Sequence, residues 1–347
     1  MASKLLKSGG IAIIISLFIG IAVFIYFFFR LGPRALSLIS QNFDYRYIFL
    51  FFVFSFLGFV FATLRARIIL QAYGKKVNFF LLLKQIISGY AVSYITPSAR
   101  FGGEPVRIYM LKKEAGVDYK IGTASVLMDK FVEILGVMLF GLIGVIMFVF
   151  APKLAFNTKI FVATGILIIL MILSVFYWRC VSGKGSISSL FRLFLLHKIP
   201  RLSKFIRFIK DVEKKMSHFF IEHKKAFIKS ILVYAVYLIF TIIQMKFLLL
   251  GLGTNVSVIV LIVSLTFLGI AEVIPVPAAL GFLEAGQSAV FSLFAKGGSL
   301  GFAVSVFLRI SAIIFVALGF VFLSHFGWKT IGKMLQKVFN ISEKEME

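Results

Sequence analysis

A chain of 347 residues, 60 % of them hydrophobic, with a mean hydropathy of +1.01, is not a soluble globular domain, whose apolar content is lower and scattered. Its net charge of +24 lies in Lys and Arg between the apolar runs, as in cytoplasmic loops and segments facing anionic headgroups; no aromatic-basic platform or groove-reading motif points to nucleic acid. The one cysteine, Cys180, excludes an intramolecular disulfide and a cysteine metal cluster.

The first apolar run, 11–29, follows Lys4 and Lys7. It is too long for a secretory signal and lacks a small-residue cleavage site, so it reads as a retained span. Further spans are expected at 47–64, 121–150, 159–178, 227–250 and 300–323, each near the ~20 apolar residues that cross a bilayer core. The apolar segments 79–95 and 257–275 each run into a Pro/Gly break.

Charge parity decides whether those two cross. The 30–46 segment is expected outside. The 65–78 loop (Arg65, Arg67, Lys75, Lys76), the very basic 179–226 loop and the 324–347 tail (Lys329, Lys333, Lys337) are expected inside. An even number of crossings must separate the inside loops, so 79–95 dips in and returns through 103–111, and 257–275 does likewise. The expected fold is an all-α polytopic membrane protein: one integral-membrane domain with about six spans and two re-entrant broken-helix hairpins. Three spans separate the hairpins, which makes 47–150 and 227–323 an inverted repeat, with both termini cytoplasmic. Within the basic loop, Leu202, Phe205, Ile206, Ile209, Val212, Met216, Phe219 and Phe220 recur at steps of three and four, the mark of an amphipathic helix over 201–220. It lies on the leaflet or packs on the loop. His197, His218, His223 and His325 fall in basic polar segments and read as interfacial residues.

The two breaks share a signature. Pro97 is followed seven residues on by Glu104, and Pro277 by Glu284, at a constant offset of 180 residues. Pro and Gly interrupt a helix, here Pro97 in the first break and Pro275, Pro277 and Gly281 in the second. A cation follows inside the next span: Lys130 lies 26 residues after Glu104, Arg309 25 after Glu284. A charge at mid-bilayer costs ~3 kcal/mol or more and therefore faces a partner or a water-filled cavity. Paired broken helices are the sequence sign of a transporter-type site. Gly102 and Gly103, between Arg100 and Arg107, are expected to present backbone N–H groups to a phosphate. Asp129 and Glu133, four apart, share a helix face. Lys84, Lys246 and Glu272 complete the ionisable set. The structural alternative is a set of salt bridges such as Glu104–Lys130 and Glu284–Arg309. No HExxH, Walker loop, CxxC or GxSxG is present, so no catalytic residue, metal or cofactor is assigned.

The run Tyr94-Ile95-Thr96-Pro97-Ser98 … Gly102-Gly103-Glu104-Pro105-Val106-Arg107 resembles the membrane region of lysylphosphatidylglycerol synthases and their stand-alone, flippase-like relatives. Val126-Leu127-Met128-Asp129-Lys130-Phe131, Pro275-Val276-Pro277 … Leu280-Gly281-Phe282-Leu283-Glu284 and Leu308-Arg309 resemble its later elements. The resemblance implies a membrane domain that moves a lipid between leaflets, without the soluble domain that transfers the aminoacyl group. The expected function is therefore a flippase or transporter of a phospholipid or polyprenyl-linked lipid in the plasma membrane. Arg100, Arg107, Lys130 and Arg309 would hold the lipid phosphate with the Gly102 and Gly103 amides. Glu104, Asp129, Glu133 and Glu284 would balance those cations, receive a cationic headgroup or take up a coupling proton. The rivals are a membrane subunit partnering a lipid- or glycan-modifying enzyme, an integral-membrane lipid transferase, and an ion-coupled solute transporter.

Overall fold

Helix boundaries follow the capping chemistry of the sequence. In the computed structural model, which describes residues 2–98, 100–150, scattered positions between 157 and 178, and 203–324, every regular element is helical. The elements are α1 (Ala2–Asn42), α2 (Tyr45–Ala72), α3 (Phe79–Ile95), α4 (Glu104–Ala115), α5 (Tyr119–Val149), α6 (Ser203–Glu222), α7 (Lys224–Gly251), α8 (Val258–Val273), a 3₁₀ turn (Pro277–Ala279), α9 (Phe282–Leu293) and α10 (Gly298–Ser324). Asp44, Asn78 and Asp118 cap α2, α3 and α5 by accepting from the second amide of each helix.

Among the described residues, five helices are long and apolar enough to cross a membrane: Leu17–Asn42 within α1, then α2, α5, α7 and α10. The expected span 159–178 lies largely outside the described residues, and the 179–202 segment and the tail beyond Ser324 lie wholly outside them. At 1.5 Å per residue, α3 and α4 are about 25 and 18 Å long, each short of a ~30 Å hydrocarbon core. The break between them falls at 96–103, as Pro97 and the glycine pair require. α8 and α9 repeat the arrangement around 274–281.

The two halves correspond element by element. α2, α3, α4 and α5 hold 28, 17, 12 and 31 residues. α7, α8, α9 and α10 hold 28, 16, 12 and 27. The halves also interlock: α2 lies along α7, α3 packs on α10, and α8 packs on α5.

Two expectations are corrected. The segment 30–46 is not a loop; α1 continues through Pro33 to Asn42, and only Phe43 and Asp44 separate it from α2. Leu31, Leu38 and Ile39 pack on the core of the second half, and that burial outweighs the hydrogen bond Pro33 removes. The 65–78 loop is also shorter, because α2 runs to Ala72 and carries Arg65 and Arg67. The amphipathic helix is present as α6 and lies on the protein itself. Phe219 is buried with Ile69, Met128 and Phe131, and Lys120 on α5 reaches Asp211 at 2.7 Å.

α1 packs on the second half, not on the helices that follow it in sequence. Phe24 and Phe28 meet Phe302 on α10. Gly20 sits so close to the second break that a Cβ on Gly281 would fall 2.6 Å from the Gly20 carbonyl oxygen. Gly281 also has φ +80°, a left-handed backbone that a side chain strains. Gly281→Ala should therefore lower stability by about 1–3 kcal/mol, read as a fall in the melting temperature of detergent-purified protein. Gly286→Ala, on α9 with nothing near the added methyl, should leave that temperature unchanged or raise it.

Candidate functional site

The site begins at the first break. Thr96 closes α3 by donating its hydroxyl to the Val92 carbonyl at 2.9 Å. Pro97 then stops the helix, and the chain turns back through Ser98 to Gly103. Gly103 is required at its place because a Cβ there would lie 1.8 Å from the Gly89 carbonyl oxygen. The glycine amides are engaged: Gly102 N–H donates to Ser98 Oγ at 2.7 Å and Gly103 N–H to Ser93 Oγ at 2.8 Å. These serines occupy the donors that the Gly-Gly pair was expected to offer a phosphate.

The turn delivers Glu104 and Arg107, in the first turn of α4, to the charged face of α5. Arg107 bonds Glu104 at 3.0 Å and Asp129 at 2.8 Å. Lys130 reaches Glu104 at 3.4 Å and Glu133 at 3.2 Å. Arg65, from α2, bonds Asp129 at 2.5 Å and lies 3.6 Å from Glu133. The six side chains thus close a ring of alternating charge: Arg65, Asp129, Arg107, Glu104, Lys130, Glu133 and back to Arg65. The ring fastens α2, α4 and α5 together. Only Glu133 is more than slightly exposed; the Asp129 side chain keeps 2 % of its surface. Unpaired, such charges would be very costly to bury; each here has two opposite partners.

The second break is simpler. Ala278 and Ala279 both adopt left-handed backbone before Gly281. The Glu284 carboxylate accepts from the Gly281 amide at 2.8 Å and from Arg309 at 2.8 and 2.5 Å. Arg309 also approaches the Ala278 carbonyl and the Tyr94 hydroxyl, each at 3.4 Å. The two ion pairs suggested by spacing, Glu104–Lys130 and Glu284–Arg309, are therefore both present.

Between the breaks lies a cavity of about 620 Å³. Ring residues and four tyrosines, Tyr90, Tyr94, Tyr234 and Tyr237, line part of it. Phe51, Met245 and Leu265, which belong to a separate packed cluster, line another part. The charged lining balances: Arg65, Arg100, Arg107 and Lys130 face Glu104, Asp129, Glu133 and Glu272. Arg100 stands outside the ring, bonded to Glu272 at the end of α8 and lying over the Tyr90 ring at 5.8 Å.

The ten candidate residues thus fall into groups. Glu104, Arg107, Asp129, Lys130 and Glu133 share the ring. Arg100 faces the cavity apart from it. Gly102 and Gly103 shape the turn. Glu284 and Arg309 brace the second break. Sequence reasoning missed Arg65, which it placed in a loop; the apolar Ile68-Ile69-Leu70 beyond it is the signal that the helix continues. It also left Glu272 without a partner. Among the described residues no group of three His, Cys, Asp or Glu is placed to hold a metal ion.

The ring makes a sharp prediction for stability. Asp129→Asn leaves Arg65 and Arg107 each short of a buried partner, and should cost about 3–5 kcal/mol. Adding Arg65→Leu should recover part of that loss, so the double variant melts higher than the sum of the single changes predicts. Thermal melts of the four purified proteins check it.

The profile of the family described as "Lysylphosphatidylglycerol synthase TM region" matches residues 13–321. A UPF0104 membrane protein of Methanothermobacter thermautotrophicus is 23 % identical over 332 residues, covering 92 % of this chain and 97 % of its own. One from Pyrococcus horikoshii is 23 % identical over 305 residues, covering 83 % and 88 %. A third, from Methanocaldococcus jannaschii, is 28 % identical over 133 residues, covering 38 % of each chain. No solved structure matches. With its helices long enough to span, its paired helix breaks and a profile match across nearly its whole length, the chain is a multi-pass membrane protein that belongs to the lysylphosphatidylglycerol synthase transmembrane-region family.

Proposed function

We propose that the protein carries a phosphate-bearing lipid, a phospholipid or a polyprenyl-linked one, between the leaflets of the plasma membrane, with both termini cytoplasmic. The observation that carries this reading is the cavity between the two broken helices, lined by charge in one part and by packed apolar side chains in another. A lipid has the same division: a polar head that needs charged partners and chains that need none. A small polar solute would gain nothing from Phe51, Met245 and Leu265. Interlocked, corresponding halves around one cavity also suit an exchange of access by rocking one half against the other.

The headgroup would meet Arg100. The ring cations are each held between two carboxylates and are nearly fully covered, whereas the Arg100 side chain retains 38 % of its surface and has one carboxylate partner. The structural ring would hold the floor of the site in place, and Arg100 would do the binding. The remaining candidates, Glu284 and Arg309, would keep the second break in shape.

The family description, which ties this membrane region to a lipid synthase, favours one alternative: a membrane subunit that serves a lipid-modifying enzyme and moves nothing alone. Reconstitution separates the two. In liposomes carrying a fluorescent short-chain phosphatidylglycerol, the wild-type protein should expose inner-leaflet label to an external quencher. Arg100→Ala should slow that exposure about ten- to a hundredfold, the worth of a charge-assisted hydrogen bond, with an unchanged gel-filtration profile. No exposure by wild type, together with stable co-purification of an enzyme, would favour the subunit reading.

A further inference from the structure

Of the ion pairs among the described residues, Arg100–Glu272 alone joins the two halves of the chain. It links the first break to the end of α8, immediately before the second break. It is also more open than any pair within the ring: the side chains retain 38 % and 32 % of their surface. We infer that Glu272 is a stand-in for the substrate's phosphate on Arg100, and that its displacement by that phosphate unlatches the second broken helix from the first. The inference rests on the lipid-carrier reading and specifies how that site is filled.

Three observations support it. First, the competitor is chemically matched: a guanidinium binds a carboxylate or a phosphate through the same fork of N–H donors. Exchange leaves Arg100 paired throughout, so no bare cation is exposed in the cavity. Secondly, the first break is pinned independently of the pair. Ser93 Oγ accepts from the Gly103 amide at 2.8 Å and donates to the Arg100 carbonyl at 3.2 Å. Glu104 and Arg107 are held in the ring. Loss of Glu272 therefore leaves the first loop in position. Thirdly, the element on the other side carries backbone strain of its own. Glu272 lies on the last turn of α8, and the next nine residues carry two prolines, two left-handed alanines and a left-handed glycine. Left-handed alanine costs about 1–2 kcal/mol relative to its ordinary conformation, so this segment holds its shape only while its contacts persist.

The same geometry accounts for a charge-balanced lining. With Glu272 on Arg100 the charged lining of the cavity is balanced, and no cation is left to recruit anions indiscriminately. A ligand must bring an acceptor able to outcompete a tethered carboxylate, which selects phosphate oxyanions over neutral headgroups.

The test measures binding to the full-length protein in detergent by titration calorimetry. The probes are dioctanoyl phosphatidic acid, dioctanoylglycerol as its phosphate-free counterpart, and inorganic phosphate. Glu272→Gln removes the competitor and should bind dioctanoyl phosphatidic acid about two- to fivefold more tightly than wild type, the worth of a half-exposed ion pair. Arg100→Gln should bind it no better than dioctanoylglycerol. Hydrogen exchange over residues 272–281 should rise when the phosphatidic acid is added to wild type, and should already be raised in unliganded Glu272→Gln. If Glu272→Gln does not fold, Glu272→Asp, with a shorter reach to Arg100, should shift both readouts in the same direction by less. Equal or weaker binding by the Glu272 variant, or unchanged exchange over 272–281, overturns the latch while leaving a lipid carrier intact. Inorganic phosphate binding as tightly as the phosphatidic acid keeps the latch and removes the lipid. No phosphate-dependent binding by any of the proteins overturns both.

Discussion

A closed ring of six charges, five of them buried, organises the first half of this protein. Arg65, Asp129, Arg107, Glu104, Lys130 and Glu133 each bridge two neighbours of opposite sign. In a medium that solvates ions poorly, an open chain of such groups would leave its ends exposed to the full cost of desolvation; a ring has no ends. The geometry of the first break follows from it. α3 must stop at Thr96 and the chain must turn within eight residues, because Glu104 and Arg107 have to reach α5 where Asp129 and Lys130 present their heads. The Ser93 and Ser98 hydroxyls and the tight Gly89–Gly103 contact hold that turn.

The second half repeats the backbone arrangement with far less charge. Its counterpart of the ring is one pair, Glu284–Arg309, completed by the Gly281 amide. Where the first hairpin is closed by Gln85 donating to the Arg107 carbonyl, the second is closed by Gln287 bonded twice to Ser264. The charge that could recognise a ligand is thus concentrated on one side of the cavity, and the other side contributes Glu272. The halves agree in architecture and differ in chemistry, the division of labour expected if one half holds the site and the other moves over it.

Much of this was legible in the residues, for identifiable reasons. Pro97, Pro275 and Pro277 cannot continue a helix, so both breaks fall where the sequence places them. The Glu104–Lys130 and Glu284–Arg309 pairs, which the spacing offered as the structural alternative to substrate binding, are both formed. What escaped was tertiary. Arg65 belongs to a cluster of basic residues and reads as a loop charge; only Asp129 and Glu133, more than sixty residues away, make it a buried one. The 30–46 segment reads as a loop after the first span, yet apolar contacts carry α1 through Pro33 to Asn42. The Gly102-Gly103 amides look like a phosphate cradle until the serine hydroxyls that fill it are seen. Each miss involves a partner distant in sequence or a side chain that competes for a backbone donor.

The packing of α1 has a consequence for biogenesis. α1 rests on Phe302 and on the break around Gly281, which are made long after it. At roughly 5–20 residues per second of synthesis, α1 waits some tens of seconds in the bilayer before its partners leave the ribosome. Its many exposed aromatic and aliphatic side chains, Phe18, Ile25 and Phe29 among them, are tolerable there because lipid is their solvent. The ring of charges, by contrast, is complete once α5 has been inserted, so the charged half can settle early while the apolar half is still open. Closure of the molecule then becomes a late docking of α1 onto α10.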